Sequence, residues 1–296
     1  MGLAFRKFFH KIKSFVPKSF KNSVRRILFA KSFKKIGAEM ALVSLADLEN
    51  GLHELGIEQG DVLFVHSSTD KLTLVEGGPL KILNLLVSII GPCGTLTMPT
   101  FPFEGMASDY LIKTKLFDVR RTPSKVGLLS ELFRRTPGVL RSIHPTHPVC
   151  AKGQYAEYFT SEHHHDCRPF GPLSPFKKME EKQAKILMIG VDSTYLTHSH
   201  VVEDVLGKDF PYKVYLDELK EIEIIDKDAQ KGKMTTFVHN PEVTKFKNIT
   251  IFEKEWIKLG LLQKKNIGHI ELRVFDSVKL NDTMVKWALK KKTIYG

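Results

Sequence analysis

A chain of 296 residues, 42% hydrophobic and 26% charged, can bury a large core and has the balance of an ordinary globular protein. Its three cysteines, Cys93, Cys150 and Cys167, are too few and too widely spaced for a disulfide framework or a zinc-ligand pattern, which points to a reducing cytoplasm. The net charge of +12 sits at one end: residues 1–36 hold eleven of the 45 Lys and Arg and none of the 33 acids, so the near-neutral remainder is not built to bind nucleic acid.

In that basic segment Phe5, Phe8, Phe9, Ile12, Phe15 and Val16 fall on one helical face, with Arg6, Lys7, Lys11 and Lys13 opposite. Pro17 ends the pattern, and Phe20, Val24, Ile27 and Leu28 begin a second apolar stripe. A basic amphipathic helix rich in Phe suits an anionic membrane surface. Docking on the body or on a partner subunit is the alternative. No apolar run reaches the length of a membrane span, and the first residues lack the apolar core of a signal peptide. The expectation is a cytoplasmic protein, peripheral on the inner face of the membrane, with an extension over residues 1–36 and one body over residues 37–296.

From Ser44 the pattern alternates between strands and helices. Ser44 is an N-cap for a helix ending near Gly56. Asp61–His66 reads as a strand that stops at Ser67-Ser68, and Gly77-Gly78-Pro79 precedes a helix over Leu80–Ile90. Gly94–Met98 is a second strand. Thr122-Pro123-Ser124 leads into an expected helix over Lys125–Arg135, and Ile186–Val191 is a third strand. After Lys208 the signal thins: strands are expected within Tyr212–Ile225 and Met234–Val238, helices within Glu253–Gly260 and Asn281–Lys292. The whole is an α/β fold with a mostly parallel central sheet and helices on both faces. Sites in such folds form at the carboxyl ends of strands, where Ser67, Thr100 and Asp192 stand.

The stretch richest in chemistry is Gly190–Glu203. His200 and Glu203 are three apart, so a helix puts them on one face. A carboxylate beside an imidazole fixes its tautomer and raises its basicity, as a general base requires. A polar helix start is the plainer reading of the same residues. Asp192 is either a lining residue or a cap. Cys150 reads as core, and His163-His-His-Asp-Cys167 lacks a matching ligand set elsewhere, so no metal is expected.

Seven separated segments resemble the aminoglycoside 3-N-acetyltransferase family, in that family's order. They are Gly60–Ser68, Gly77-Gly78, Gly94–Thr100, Phe117–Ser124 with Gly127, Arg141–His147, Pro169–Pro175 and His200-Val-Val-Glu203. The resemblance runs from about Leu42 to Asp204. It implies a non-GNAT α/β enzyme that moves an acetyl group from acetyl-CoA, with no metal, to an amine. It implies His200 as the catalytic histidine with Glu203 as its partner. It also places Ser67, Ser68, Thr122 and Ser124 near acetyl-CoA and matches His144 to the first histidine of the family's His-Pro-Thr-His segment. From the residues themselves, the helix starts at Gly77-Gly78 and Thr122–Ser124 offer phosphate sites for coenzyme A, with simple helix capping the plainer reading of Thr122–Ser124, and the prolines after His144 and His147 favour extended turns in which these histidines shape the pocket. Thr69, Pro148 and the extra histidine His198, counted here with the acceptor site, depart from the family pattern and leave the acceptor open.

The favoured acceptor at this point is an amino sugar in surface-polysaccharide biosynthesis, because the basic extension would hold the enzyme at a membrane. An aminoglycoside, with antibiotic resistance as the outcome, is the alternative. A Ser-His-Glu hydrolase using Ser67 or Ser68 ranks below both, since no Gly-x-Ser-x-Gly elbow is present. A homo-oligomer is left open.

Overall fold

The computed structural model describes residues 42–296. The basic segment 1–36 and its expected amphipathic helix lie outside the described residues.

Among the described residues the β-branched and aliphatic runs form ten strands: β1 Val62–Ser67, β2 Thr95–Pro99, β3 Leu116–Asp118, β4 Leu140–Arg141, β5 Val149–Gly153, β6 Lys185–Ile189, β7 Tyr215–Ile225, β8 Lys231–His239, β9 Leu262–Ile267 and β10 Ile270–Asp276. Seven make one sheet in the order β4-β5-β2-β1-β6-β10-β9. The expected parallel pairing holds at its centre, where β1 lies parallel to both β2 and β6. It fails outside the centre, because β5, β4, β10 and β9 are all paired antiparallel. The physical reason is connection length. β9 and β10 are joined by only Gly268-His269, a link that permits a hairpin and no crossover helix. The smaller sheet, β3-β7-β8, has its own apolar cluster of Leu111, Phe117, Ile222, Ile224 and Met234.

Alternation along the central strands sorts their side chains onto two faces. Leu63 and Val65 of β1, with Leu187 and Ile189 of β6, enter an aliphatic core. That core is covered by the helices Leu45–Glu54, Gly78–Ile90 and Leu128–Arg134. Val62 and Phe64 of β1, with Ile186 and Met188 of β6, face an aromatic-rich core that includes Phe176, Trp256, Phe275 and Met284. The caps follow the sequence: Ser44 accepts from Asp47 N at 3.0 Å, and Pro79 occupies the first turn of its helix. The helix expected from Lys125 begins only at Leu128, with Gly127 as its N-cap, so Thr122–Ser124 is a loop and not a helix start. Val43–Gly296 forms one compact unit. No helix among the described residues is long and apolar enough to cross a membrane.

Candidate active site

The carboxyl ends of β1 and β6 lie side by side, with Ser67 paired to Ile189. The residues leaving these strands and β2 line a cavity of about 610 Å³, within the size range of small-molecule sites. His66 and Ser67 end β1 and Ser68 and Thr69 follow it, Phe101 and Phe103 follow β2, and Val191 and Thr194 follow β6. His147, His200 and Lys247 complete the wall. Two glycines let the backbones come this close. Gly190 has φ +67°, and a Cβ there would stand 2.7 Å from the Lys71 side chain. Gly127 has φ +134° and starts its helix against Ser67, where Thr69 Oγ1 accepts from Leu128 N at 3.0 Å.

His200 ends the 3₁₀ turn Thr197–His200 and begins the helix Val201–Leu206, so Glu203 lies one turn further on the same face. The ring Nδ1 and Glu203 Oε1 are 2.6 Å apart. The Tyr295 hydroxyl donates to the same carboxylate oxygen at 2.6 Å. Two donors on one oxygen favour the ionised carboxylate, which fixes the proton on Nδ1 and leaves Nε2 as an acceptor. Lys247 Nζ fills that position, 2.8 Å from Nε2. Phe170 stacks on the other side of the ring at 5.2 Å.

The three charged or chargeable groups form a line: ammonium, neutral imidazole, carboxylate. Burial, and then the Lys247 charge, hold the His200 imidazolium well below the usual histidine range. Burial pushes Glu203 up to about 7, against the hydrogen bond from Tyr295 and the charges of His239 and Lys247. Burial also lowers Lys247 to about 8, with Glu203 pulling the other way. His200 is therefore held in its neutral form, the form in which a general base can take a proton, with a carboxylate on one side and an amine on the other. Asp204 stands behind it, accepting from Phe170 N at 2.9 Å and from the Tyr215 hydroxyl at 3.1 Å.

The remaining sequence candidates divide. Ser67, Ser68 and His147 line the cavity with His200. Ser68 also caps the short helix Thr69–Leu72. Neither serine hydroxyl bonds His200, whose Nε2 is taken by Lys247. His144 lies behind the wall: its Nδ1 accepts from His147 N at 3.1 Å, and its ring stacks on His163. It therefore shapes the His-Pro-Thr-His turn, which joins β4 to β5 and delivers His147. Asp192 takes the capping role, accepting from Thr194 N at 2.9 Å. His198 is corrected out of the acceptor site. Two residues before His200 on a tight helix, it points the other way, is 1% exposed, and lies 3.7 Å from Glu180. Gly77 and Gly78 adopt positive φ at their helix start but lie outside the cavity lining. Thr122 Oγ1 accepts from Asp118 N, and Ser124 N donates to Glu131, so both order a loop beside the cavity. Cys150 is core, and burial pushes its thiol up to about 11.

Sequence reasoning missed Lys247, Tyr295 and His239. β8 ends at His239, and the chain then passes through a short helix, Pro241–Thr244, to Lys247. Asn248 N bonds Ile294 O at 2.7 Å, which ties that loop to the C-terminal strap bearing Tyr295. A lysine in Thr244-Lys-Phe-Lys247 and a penultimate tyrosine carry no local signal; only the return of the chain to the His200 helix places them.

A profile of the family described as aminoglycoside 3-N-acetyltransferase matches residues 64–288. Aminoglycoside N(3)-acetyltransferase IV of Salmonella sp is 34% identical over 171 residues, which is 57% of this chain and 61% of that protein, so the match spans less than two thirds of its length. The crystal structure of the aminoglycoside acetyltransferase AAC(3)-IVa apoenzyme superposes with a TM-score of 0.70 at 25% identity, over 86% of this chain and 92% of that one. AAC-IIIb, solved as a binary complex with CoASH, shares the fold with a TM-score of 0.71 at 22% identity, over 86% of this chain and 98% of that one. With the profile covering most of the body and the site segments in place, the chain belongs to the aminoglycoside 3-N-acetyltransferase family of CoA-dependent N-acetyltransferases.

Proposed function

We propose that the protein transfers the acetyl group of acetyl-CoA to a primary amine of an aminoglycoside, with His200 as general base and Glu203 as its orienting partner. One observation carries the reading: His200 is held on Nδ1 by Glu203, whose carboxylate Tyr295 holds in turn, while the ring lines the same cavity as the Ser67-Ser68 turn. Acetyl-CoA supplies an activated thioester. The apolar wall of Phe101, Phe103, Val126 and Val191 suits its pantetheine arm, and the unpartnered, buried His66 Nε2 offers a polar group at the β1 end. An acceptor arrives as an ammonium and reacts only as the neutral amine. His200 Nε2 takes the proton, and Glu203 stabilises the imidazolium that forms. General-base help of this kind contributes about 10²–10⁴-fold.

The relatives' names favour an aminoglycoside acceptor. One observation favours the second reading, an amino sugar of surface-polysaccharide synthesis. The cavity lining holds Lys125 and Lys247 but only one carboxylate, Glu104, whereas a polycationic antibiotic calls for acidic walls. Thiol release from acetyl-CoA, measured across apramycin, gentamicin, free amino sugars and nucleotide-linked amino sugars, separates the two. Turnover with aminoglycosides supports the first reading, turnover confined to the sugars replaces it with the second, and sustained release of many thiols per chain with no amine at all overturns both. Residues 1–36 we assign to an anionic membrane face; deleting them should release the protein from anionic vesicles and spare turnover, and unchanged vesicle binding ends that assignment.

A further inference from the structure

The acceptor's place on His200 is already held by an amine of the protein itself. Lys247 Nζ lies 2.8 Å from Nε2, on the line along which an acceptor would give up its proton, and it lines the cavity that also contains Ser67 and Ser68. Its hydrogen-bond partner among the described residues is the ring, so no carboxylate holds it as a fixed cation. The backbone bond from Asn248 N to Ile294 O anchors the loop that presents it. We propose that Lys247 is an internal acceptor: the enzyme acetylates this lysine from acetyl-CoA when no acceptor amine is bound.

The proposal rests on the acetyltransferase reading above and adds a modification site to it. In the step, the Lys247 nitrogen passes its proton to His200 Nε2 and forms a bond to the acetyl carbonyl carbon. The carbon–sulfur bond breaks, and the imidazolium proton is delivered to the departing thiolate. The products are N-acetyl-lysine and free CoA, and His200 returns to its neutral form. Burial lowers the Lys247 ammonium below the ordinary lysine range, so its neutral amine is more accessible than that of a surface lysine. The neutral amide that results carries no charge against Glu203 and leaves the acceptor position blocked, so an acceptor should protect Lys247, and modification should silence the enzyme.

The test is incubation of the full chain with acetyl-CoA alone, followed by intact-mass measurement and peptide mapping. We expect one acetyl group per chain at Lys247, at a rate per molecule unchanged by dilution, suppressed when an accepted amine is added. His200→Gln should slow it by on the order of a hundredfold, and Lys247→Arg should remove it while leaving surface lysines as they were. Thiol release with an external acceptor is measured in parallel. If that release proceeds and Lys247 stays unmodified, or is modified no faster than surface lysines, the self-acetylation is overturned and the enzyme reading stands. If neither acceptor nor Lys247 is acetylated, the enzyme reading itself fails.

Discussion

The two faces of the central sheet are built from different chemistry. On one, Leu63, Val65, Leu187 and Ile189 meet helices that contribute Leu48, Leu52, Ile82, Leu86 and Phe133, an aliphatic packing with little polar content. On the other, Phe64, Phe101, Phe170 and Phe176 stand among imidazoles: His66 is edge-on to Phe64 at 4.6 Å, and His147 lies 4.8 Å from Phe101 and 5.0 Å from Phe170. The first face holds the strands in register. The second holds titratable rings in a dry environment, where their basicity is set by burial and by one another. One side of the three parallel strands is thus apolar packing alone and the other combines packing with the site, and the experiments below act on one side or the other.

Acid should act first on the imidazole side. Burial holds His66, His144, His147, His163, His198, His200 and His239 below the usual histidine range. Below about pH 6.5 the unfolded chain binds protons there that the folded chain does not, so stability falls as pH falls. Glu203 and Asp204, raised by burial to about 7, work the opposite way between their ordinary range and 7, and offset two of these histidines. The remainder amounts to at most about 7 kcal/mol per pH unit, comparable with the whole stability of a domain, roughly 5–15 kcal/mol. Denaturant midpoints followed from pH 7.5 to 5 should drop steeply below 6.5; a flat profile would contradict the buried, neutral rings.

Leu63→Ala cuts the aliphatic side and should cost about 2–5 kcal/mol in urea unfolding, with transfer per folded molecule preserved. Tyr295→Phe removes the hydrogen bond to the Glu203 carboxylate, a contact to a charged group worth about 1.5–3 kcal/mol. It should lower kcat roughly tenfold or more with a smaller change in melting temperature; an unchanged kcat would remove Tyr295 from the relay. Thr69→Ala loses the acceptor for Leu128 N and should cost about 1 kcal/mol, seen as a small drop in melting temperature.

Much of this division was legible in the sequence. The period-two pattern of β1 and β6, the Ser44 cap and the three-residue spacing of His200 and Glu203 all act locally, and local signals survive in a single chain. The antiparallel flanks were not legible, because β4, β5 and β9 are short or charged and their pairing depends on distant partners. The helix expected at Lys125 starts three residues later because Glu131 takes Ser124 N and Gly127 must pass close to Ser67. His198 is adjacent to the site in sequence but on the far side of a 3₁₀ turn. Lys247 and Tyr295 reach His200 from 47 and 95 residues away, and such long-range convergence leaves no periodic trace.

The central claim, that His200 takes the proton from the attacking nitrogen, is tested most directly by thiol release from acetyl-CoA in the presence of an accepted amine, with His200→Ala compared against the unaltered chain at equal folded concentration. The account expects the variant to bind acetyl-CoA with similar affinity while its kcat falls by about 10²–10⁴-fold. A kcat within a factor of about three of the unaltered chain, far short of that range, would contradict it.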